Sequence, residues 1–320
     1  WTVPGPVVSM FSVEQTYDVF GRLGELRYPY AANRPRMVVQ PSYDGYGGVG
    51  ALEVMGADGT MFEAWRVHGR NADNSLAEGQ YGASMTTVRS YDPVTGRLQS
   101  VETKAGTDSI VAFQYDYYND GRLLQRRDNV ANRVDSYAYD DLRRLSEWWL
   151  GADVDSTYQY DDLGNLTGVV DKHRVQIEEN LYTSTPHQLT RREGVVYHYD
   201  ERGRLDSSTA GLAIEYTDFD LPKSSTKGGL STDFNYDAGH HRVRKAGPSG
   251  TTITLGGIYE RREDASGTKH VFNIRGPDGM VAQVVYDQTK ASEEIEYLHQ
   301  DQLGSVAVAT SPSGKEIDRL

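Results

Sequence analysis

The sequence contains no cysteine, which excludes disulfides and thiolate metal sites. It is poor in the usual core aromatics, with seven phenylalanines and four tryptophans among 320 residues, against 22 tyrosines. An interior built from such rings is half wet, because a buried tyrosine hydroxyl needs a partner. Hydrophobic residues of all kinds reach only 38%. No apolar stretch approaches the roughly 18–20 residues that a membrane helix requires. Positive charge is scarce too: 33 lysines and arginines face 46 acids, for a formal charge of −13. That balance argues against nucleic acid as a partner, since such binding neutralises phosphates with cations. It argues equally against an anionic membrane surface. Neither an initiator methionine nor a signal-peptide pattern stands at Trp1, so the chain is expected to be a segment of something longer.

What the sequence does have is turns and a repeat. With 33 glycines and 11 prolines, turns are frequent. The recurring unit is aromatic-x-Tyr-Asp, a short gap, Gly, Arg or Asn, then Leu. It runs Tyr17-Asp18 to Gly21-Arg22-Leu23, and Tyr91-Asp92 to Gly96-Arg97-Leu98. Tyr115-Asp116 leads to Gly121-Arg122-Leu123, and Tyr139-Asp140 to Arg143-Arg144-Leu145, where arginine replaces the glycine. Tyr160-Asp161 precedes Gly164-Asn165-Leu166, Tyr199-Asp200 precedes Gly203-Arg204-Leu205, and Tyr236-Asp237 precedes Gly239 and Arg242-Val243. Degenerate copies start at Tyr182 and at Tyr216-Thr217. From Tyr91 onward the tyrosines are spaced by 24, 24, 21 and 39 residues, the last interval holding the Tyr182 copy. A period near 20 residues fits two strands of about 5–6 residues with their connections.

Each part has a physical reading. Aromatics at i and i+2 share one face of a strand. The aspartate bonds backbone N–H groups ahead of it and closes an Asx-type turn. Glycine supplies the positive φ of that turn. Leucine opens the return strand. The fold expected is all-β, a ribbon of antiparallel hairpins, with a sandwich or barrel of short strands as the bland alternative. No window sustains a helical apolar period. The stretch 292–302 alone reads either as strand or as a helical turn or two. Residues 43–90 carry the poorest repeat, and 45–50 and 70–82 read as longer loops over Met55, Met61, Phe62 and Trp65.

Candidate chemistry is sparse. Gly45-Tyr46-Gly47-Gly48-Val49-Gly50 spells a dinucleotide loop but lacks the flanking strand and helix, and Tyr43-Asp44 marks it as a decayed repeat turn. Asp116, Asp120 and Gly121 hint at a calcium loop, yet Tyr118 stands where an oxygen ligand belongs, so a turn aspartate is the better reading. The histidines are His68, His173, His187, His198, His240, His241, His270 and His299. Only His240-His241 are adjacent, and on a strand they would point to opposite faces. His198, between two repeat tyrosines, faces away from them. No nucleophile-elbow or triad spacing is present, and acid pairs such as Asp140-Asp141 fall in turns. No catalytic residue, metal site or cofactor is therefore assigned, and the chain is not expected to be an enzyme.

The repeat units resemble those of RHS and YD-repeat proteins across essentially the whole chain. Near the C-terminus, Gly256-Gly257-Ile258-Tyr259-Glu260 and Tyr297-Leu298-His299-Gln300-Asp301-Gln302-Leu303-Gly304-Ser305-Val306 resemble the RHS-associated core, with Gln302 where the family has a second histidine. Tyr297, His299, Asp301, Leu303 and Gly304 carry that motif, and His299 is the histidine to probe. The resemblance implies a hairpin ribbon spiralling into part of a hollow shell, with the YD ribbon over 1–250 and the core segment over 251–320. It further implies a secreted or surface-exposed bacterial protein whose shell encloses a C-terminal toxin, self-cleaved at a motif beyond the core. The expected partners are that toxin cargo, further YD repeats upstream, and secretion or delivery proteins. The alternative it implies is a teneurin-like or wall-associated adhesion module.

Overall fold

The computed structural model describes residues 2–3, 9–32, 34–56, 58–172, 178–183 and 185–320. Every regular element among the described residues is a β-strand, 31 in all. Strands pair antiparallel with their sequence neighbours, as in Arg133–Tyr139 with Leu145–Leu150 and Asp153–Tyr160 with Leu166–Asp171. A one-residue bulge recurs just beyond the repeat turns. Thr16 faces Glu25 while Tyr17 faces Leu23, leaving Gly24 extra, and the same shift follows Tyr139, Tyr160, Tyr199 and Tyr216. Such bulges bend the strand and increase its twist, so curvature is written into the hairpins that carry them.

The chain divides into two compact units, residues 1–113 with 235–320, and residues 114–234. This division follows packing, whereas the boundary expected near residue 250 follows repeat type.

In the first unit, N-terminal and C-terminal strands share an apolar core. Met37, Val39, Leu52, Val54, Trp65, Leu76, Tyr81 and Met85 join Leu255, Tyr259, Phe272, Ile274, Val284 and Tyr297 in one buried cluster. Trp65 is 1% exposed and lies over Gly79, where a Cβ would stand 2.5 Å from the indole. Polar ties cross the same seam. Tyr28 Oη–H donates to the Asn273 carbonyl at 2.8 Å, and Ser84 Oγ–H donates to that of Pro312 at 2.9 Å. Arg34 pairs with Glu293 at 2.8 Å and lies 4.3 Å from the Tyr286 ring centre.

The second unit contributes no described residue to that cluster. Its buried residues are mainly polar: Asp128, Asp135, Asp155, Ser156, Asn165 and Asn180. Leu145–Leu150, with Trp148 and Trp149, is half-buried throughout. Asp135 shows how such a layer is held, accepting bonds from Arg126, Arg133 and Trp148 Nε1. The half-wet interior expected from tyrosine-rich composition is found in both units, since in the first the buried hydroxyls of Tyr28 and Tyr259 each have a hydrogen-bond partner.

Several local expectations change. Residues 43–90 hold the strands Val49–Met55, Met61–Arg70, Leu76–Tyr81 and Met85–Tyr91 rather than long loops. A tight turn at 71–74 replaces the loop expected over 70–82, with Asn74 at φ +69° in the position glycine holds elsewhere. Trp65 is core and Phe62 packs against it, but Met61 is 53% exposed. Ser292–Gln300 is strand: residues 292–297 pair with Gly279–Asp287 and residues 297–300 with Val306–Thr310. His240 and His241 lie in a turn and not on a strand. The positive φ there belongs to His240, at +62°, and not to Gly239.

Candidate functional site

The repeated site is the turn and what it grips. At Asp18 the backbone N–H donates to the Arg22 carbonyl at 2.9 Å, and Gly21 N–H donates back to the Asp18 carbonyl at 3.0 Å. The Asp18 carboxylate accepts from Phe20 N–H at 2.8 Å and Arg22 N–H at 2.9 Å, then from the Arg22 guanidinium at 2.8 Å. Asp140 and Asp200 repeat this with Arg144 and Arg204, each guanidinium 2.7 Å away. Asp161 does so with the Asn165 amide at 2.7 Å. Glycine follows from the geometry: φ is +77° at Gly21, +87° at Gly164 and +80° at Gly203, a region L side chains avoid. Arg143 occupies it at +67° without that freedom.

These contacts hold the carboxylates below the ordinary aspartate value. At Asp200 the Arg204 guanidinium contributes most, followed by the Arg204 backbone N–H. At Asp161 the Asn165 side chain leads. At Asp18 and Asp140 desolvation is the largest single influence and raises the pKa. The backbone and guanidinium bonds of Arg22 and Arg144 together outweigh it.

The tyrosine serves the preceding repeat rather than its own. Tyr43 Oη–H donates to the Leu23 carbonyl at 2.8 Å, and Tyr139 to that of Leu123 at 3.0 Å. Tyr160 donates to Leu145 at 2.9 Å, Tyr199 to Leu189 at 2.8 Å, and Tyr216 to Leu205 at 2.6 Å. The arginine before that leucine lies over the same ring. Arg22 is 4.2 Å from the centre of Tyr43, Arg144 4.5 Å from Tyr160, and Arg204 4.4 Å from Tyr216. At these three tyrosines one hairpin is clamped to the next by a hydroxyl–carbonyl bond and a cation–π contact. Sequence spacing does not show this, because the two partners lie in different repeats.

The motif residues fall into place with two shifts. Tyr115 and Asp116 lie in the strand Asp108–Tyr117, and the turn is made two residues later by Tyr118, whose N–H donates to the Arg122 carbonyl at 2.9 Å. Asp120 there takes over the guanidinium of Arg122 at 2.8 Å. Tyr17 caps the first described repeat and donates to Gln15. Tyr91 donates to the Leu76 carbonyl at 3.0 Å, just beyond the turn at 71–74. Asp92 accepts from Val94 and Thr95 N–H, and Asp237 from Gly239 and His241 N–H. Tyr236 ends the strand Leu230–Tyr236 just before that turn.

The C-terminal core motif uses the same turn. Asp301 accepts from Leu303 N–H at 2.8 Å and Ser305 N–H at 3.0 Å, with Gly304 at φ +81°. Gln300 stands in the tyrosine slot, its amide donating to the Met280 carbonyl at 3.0 Å. Leu303, at the tip, is 81% exposed. Tyr297 and His299 turn inward and are 3% and 2% exposed. The ring of His299 lies 4.6 Å from that of Tyr81, and its Nε2 is 2.9 Å from Thr310 Oγ1. Burial and the nearby Arg319 guanidinium depress its pKa to about 4.

The other histidines make local contacts. His68 donates to Gln80 and His187 to Asn165, while His198 is exposed. His270 is buried between Tyr259 and Gln288. His173 lies outside the described residues. The glycine-rich stretch 45–50 is a repeat turn, with Asp44 accepting from Tyr46 and Gly48 N–H at 2.9 Å each.

A hairpin ribbon stitched through Tyr-Asp turns defines a YD-repeat wall. The sequence model of the Teneurin YD-shell family matches residues 63–319, and the chain belongs to that family. No curated protein sequence matches it. Among solved structures, the Photorhabdus luminescens Tc holotoxin pore with a mutated TccC3 is similar over 97% of this chain and 17% of its own, at 15% identity and TM-score 0.72. TcdB2–TccC3 without its hypervariable C-terminal region is similar over 98% of this chain and 18% of its own, at 14% identity and TM-score 0.72. At such identities the likeness is one of fold. The chain therefore spans 17–18% of the length of these relatives.

Proposed function

We propose that this chain is a wall segment of an extracellular bacterial shell that sequesters a toxin region carried C-terminally on the same protein. The observation that carries it is the second unit, a sheet held by carbonyl and guanidinium contacts to its tyrosines in place of a packed apolar layer. A sheet satisfied in this way needs no second layer, so one of its faces is free to border enclosed space. A polar, tyrosine-bearing wall also holds a cargo without binding it as a hydrophobic core would. Further support comes from the similar structures, a toxin pore and a TcdB2–TccC3 whose C-terminal region is hypervariable. Further YD repeats and a delivery protein complete the proposed assembly. In this role the segment is a scaffold and performs no chemistry.

The test is to express the natural reading frame containing this chain and follow proteolysis of the region beyond Leu320. Under this reading that region resists protease until the wall is denatured. Digestion as fast as that of the same region fused to an unrelated carrier overturns it. The second reading, an adhesion module, is favoured by apolar turn tips such as Phe20, Tyr46 and Val94, which are 77%, 101% and 90% exposed. Loss of cell-surface binding on replacing these three by serine, with no protected C-terminal region, supports adhesion instead.

A further inference from the structure

The geometry points to His299 as an acid-sensitive latch: its protonation parts the strands Ser292–Gln300 and Val306–Thr310 from Leu76–Tyr81 and Met85–Tyr91. The latch lies within the first unit and does not depend on what the wall encloses.

His299 sits where four strands meet. Its Nε2 is 2.9 Å from Thr310 Oγ1, and Thr310 Oγ1–H donates to Met85 Sδ at 3.3 Å. With the hydroxyl proton so committed, Thr310 oxygen accepts and the imidazole proton is on Nε2. The other nitrogen, Nδ1, is buried and has no hydrogen-bond partner. Thr310 and Met85 are both 0% exposed, so water does not reach the bonded side. The neutral ring thus fits, as an apolar body against Tyr81 with a single donor satisfied.

A second proton has no place here. It would make Nδ1 a buried donor without an acceptor and put a cation in an apolar seam, and both changes are costly. The charged group acting on the ring is Arg319, from the strand Glu316–Arg319, and it repels an imidazolium. Arg89 and Asp278, of opposite sign, act on Tyr81, while Glu63 acts on Tyr297. No described carboxylate pairs with His299, so nothing in the seam compensates the new charge. Exposure of the ring to water relieves the conflict, and exposure requires the strands to separate.

The contrast with His270 supports the assignment. There Nε2–H donates to Gln288 Oε1 at 3.1 Å and Nδ1 accepts from Tyr259 Oη–H at 2.7 Å. When His270 is protonated, the Tyr259 oxygen can still accept. Tyr259 lies in the strand Tyr259–Asp264 and Gln288 in the turn after Gly279–Asp287, both in the C-terminal part, so its titration leaves the seam intact.

The sign is that of a depressed base. The neutral form of His299 is favoured in the folded state, so its contribution is complete above the ordinary value of 6.5. It is lost as pH falls from there toward about 4.

Hydrogen exchange of the full chain, corrected for intrinsic rates, tests this between pH 7.5 and 4. Peptides covering 76–91 and 292–310 should lose at least tenfold of their protection across that window, with 123–171 as the internal reference. H299Q keeps a neutral donor for Thr310 and should abolish the loss, whereas H270Q should leave it in place. Acid loss that persists unchanged in H299Q overturns the latch. If H299Q does not fold, imidazole NMR of the wild-type chain decides. Protonation of His299 together with loss of protection supports the latch, and opening while His299 stays neutral overturns it.

Discussion

The hydroxyl of Tyr160 donates to the carbonyl of Leu145, 2.9 Å away, across the gap between two repeats. The guanidinium of Arg144 covers the same ring while bonding the Asp140 carboxylate. One tyrosine therefore reads the turn before it, and the ribbon propagates as a chain of such pairings.

Replacing Tyr160 by phenylalanine removes that bond and keeps the ring. The loss should be about 1 kcal/mol, the ordinary net worth of one hydrogen bond. Tyr160→Ala also removes the stacking partner of Arg144 and should cost about 2–3 kcal/mol. Urea denaturation monitored by tryptophan fluorescence, with Trp148 and Trp149 in the adjoining strand, reads both.

Arg143 holds φ +67°, where turns such as those at Gly21, Gly164 and Gly203 place glycine. Its side chain is 70% exposed and its guanidinium lies 3.7 Å from Asp120, so it contributes little that would offset the strain. Arg143→Gly should therefore stabilise the chain by about 1 kcal/mol, and Gly164→Ala should destabilise it by a similar amount. A shift of either variant in the opposite direction would show that the local backbone relaxes.

The turn aspartates have depressed pKa values, at Asp200 mainly through the Arg204 side chain and at Asp161 mainly through that of Asn165. Their contribution is complete above the ordinary value of 3.8 and is lost as pH falls below it through the depressed values. Ribbon stability, read as thermal midpoint against pH, should stay level with respect to these groups above 3.8 and decline below it. Asp200→Asn should flatten the decline by one residue's share and lower stability at neutral pH.

Gly79 and Gly82 make room for two core rings. A Cβ at Gly79 would meet Trp65 at 2.5 Å, and one at Gly82, where φ is +55°, would meet Tyr297 Oη at 2.6 Å. Either alanine substitution should destabilise the first unit by about 1–3 kcal/mol through overpacking. Hydrogen exchange should show the loss in 61–91 and 292–300, with the hairpins of 123–171 keeping their protection.

The turns were legible in the sequence because their physics is local. Asp18, Gly21 and Arg22 meet within four residues, and the same carboxylate-to-N–H geometry recurs wherever that order recurs, including Asp301 to Ser305. Where another residue takes a slot, the structure departs from the motif: Tyr118 makes the turn in place of Asp116, and Asn71 to Asn74 form a tight turn in place of a loop. The clamp between repeats was not legible. Tyr160 and Leu145 are fifteen residues apart, and nothing in either hairpin alone specifies the other. Least legible was which part would form a packed apolar core. Residues such as Trp65, Tyr81 and Met85 have the same composition as a ribbon strand, and only their encounter with Phe272, Ile274 and Tyr297 excludes water. The sequence by itself determined a ribbon of Tyr-Asp hairpins, because turn chemistry and strand alternation are short-range. Tertiary structure alone decided where that ribbon closes on a core and where His299 is buried, because burial depends on residues more than two hundred positions away.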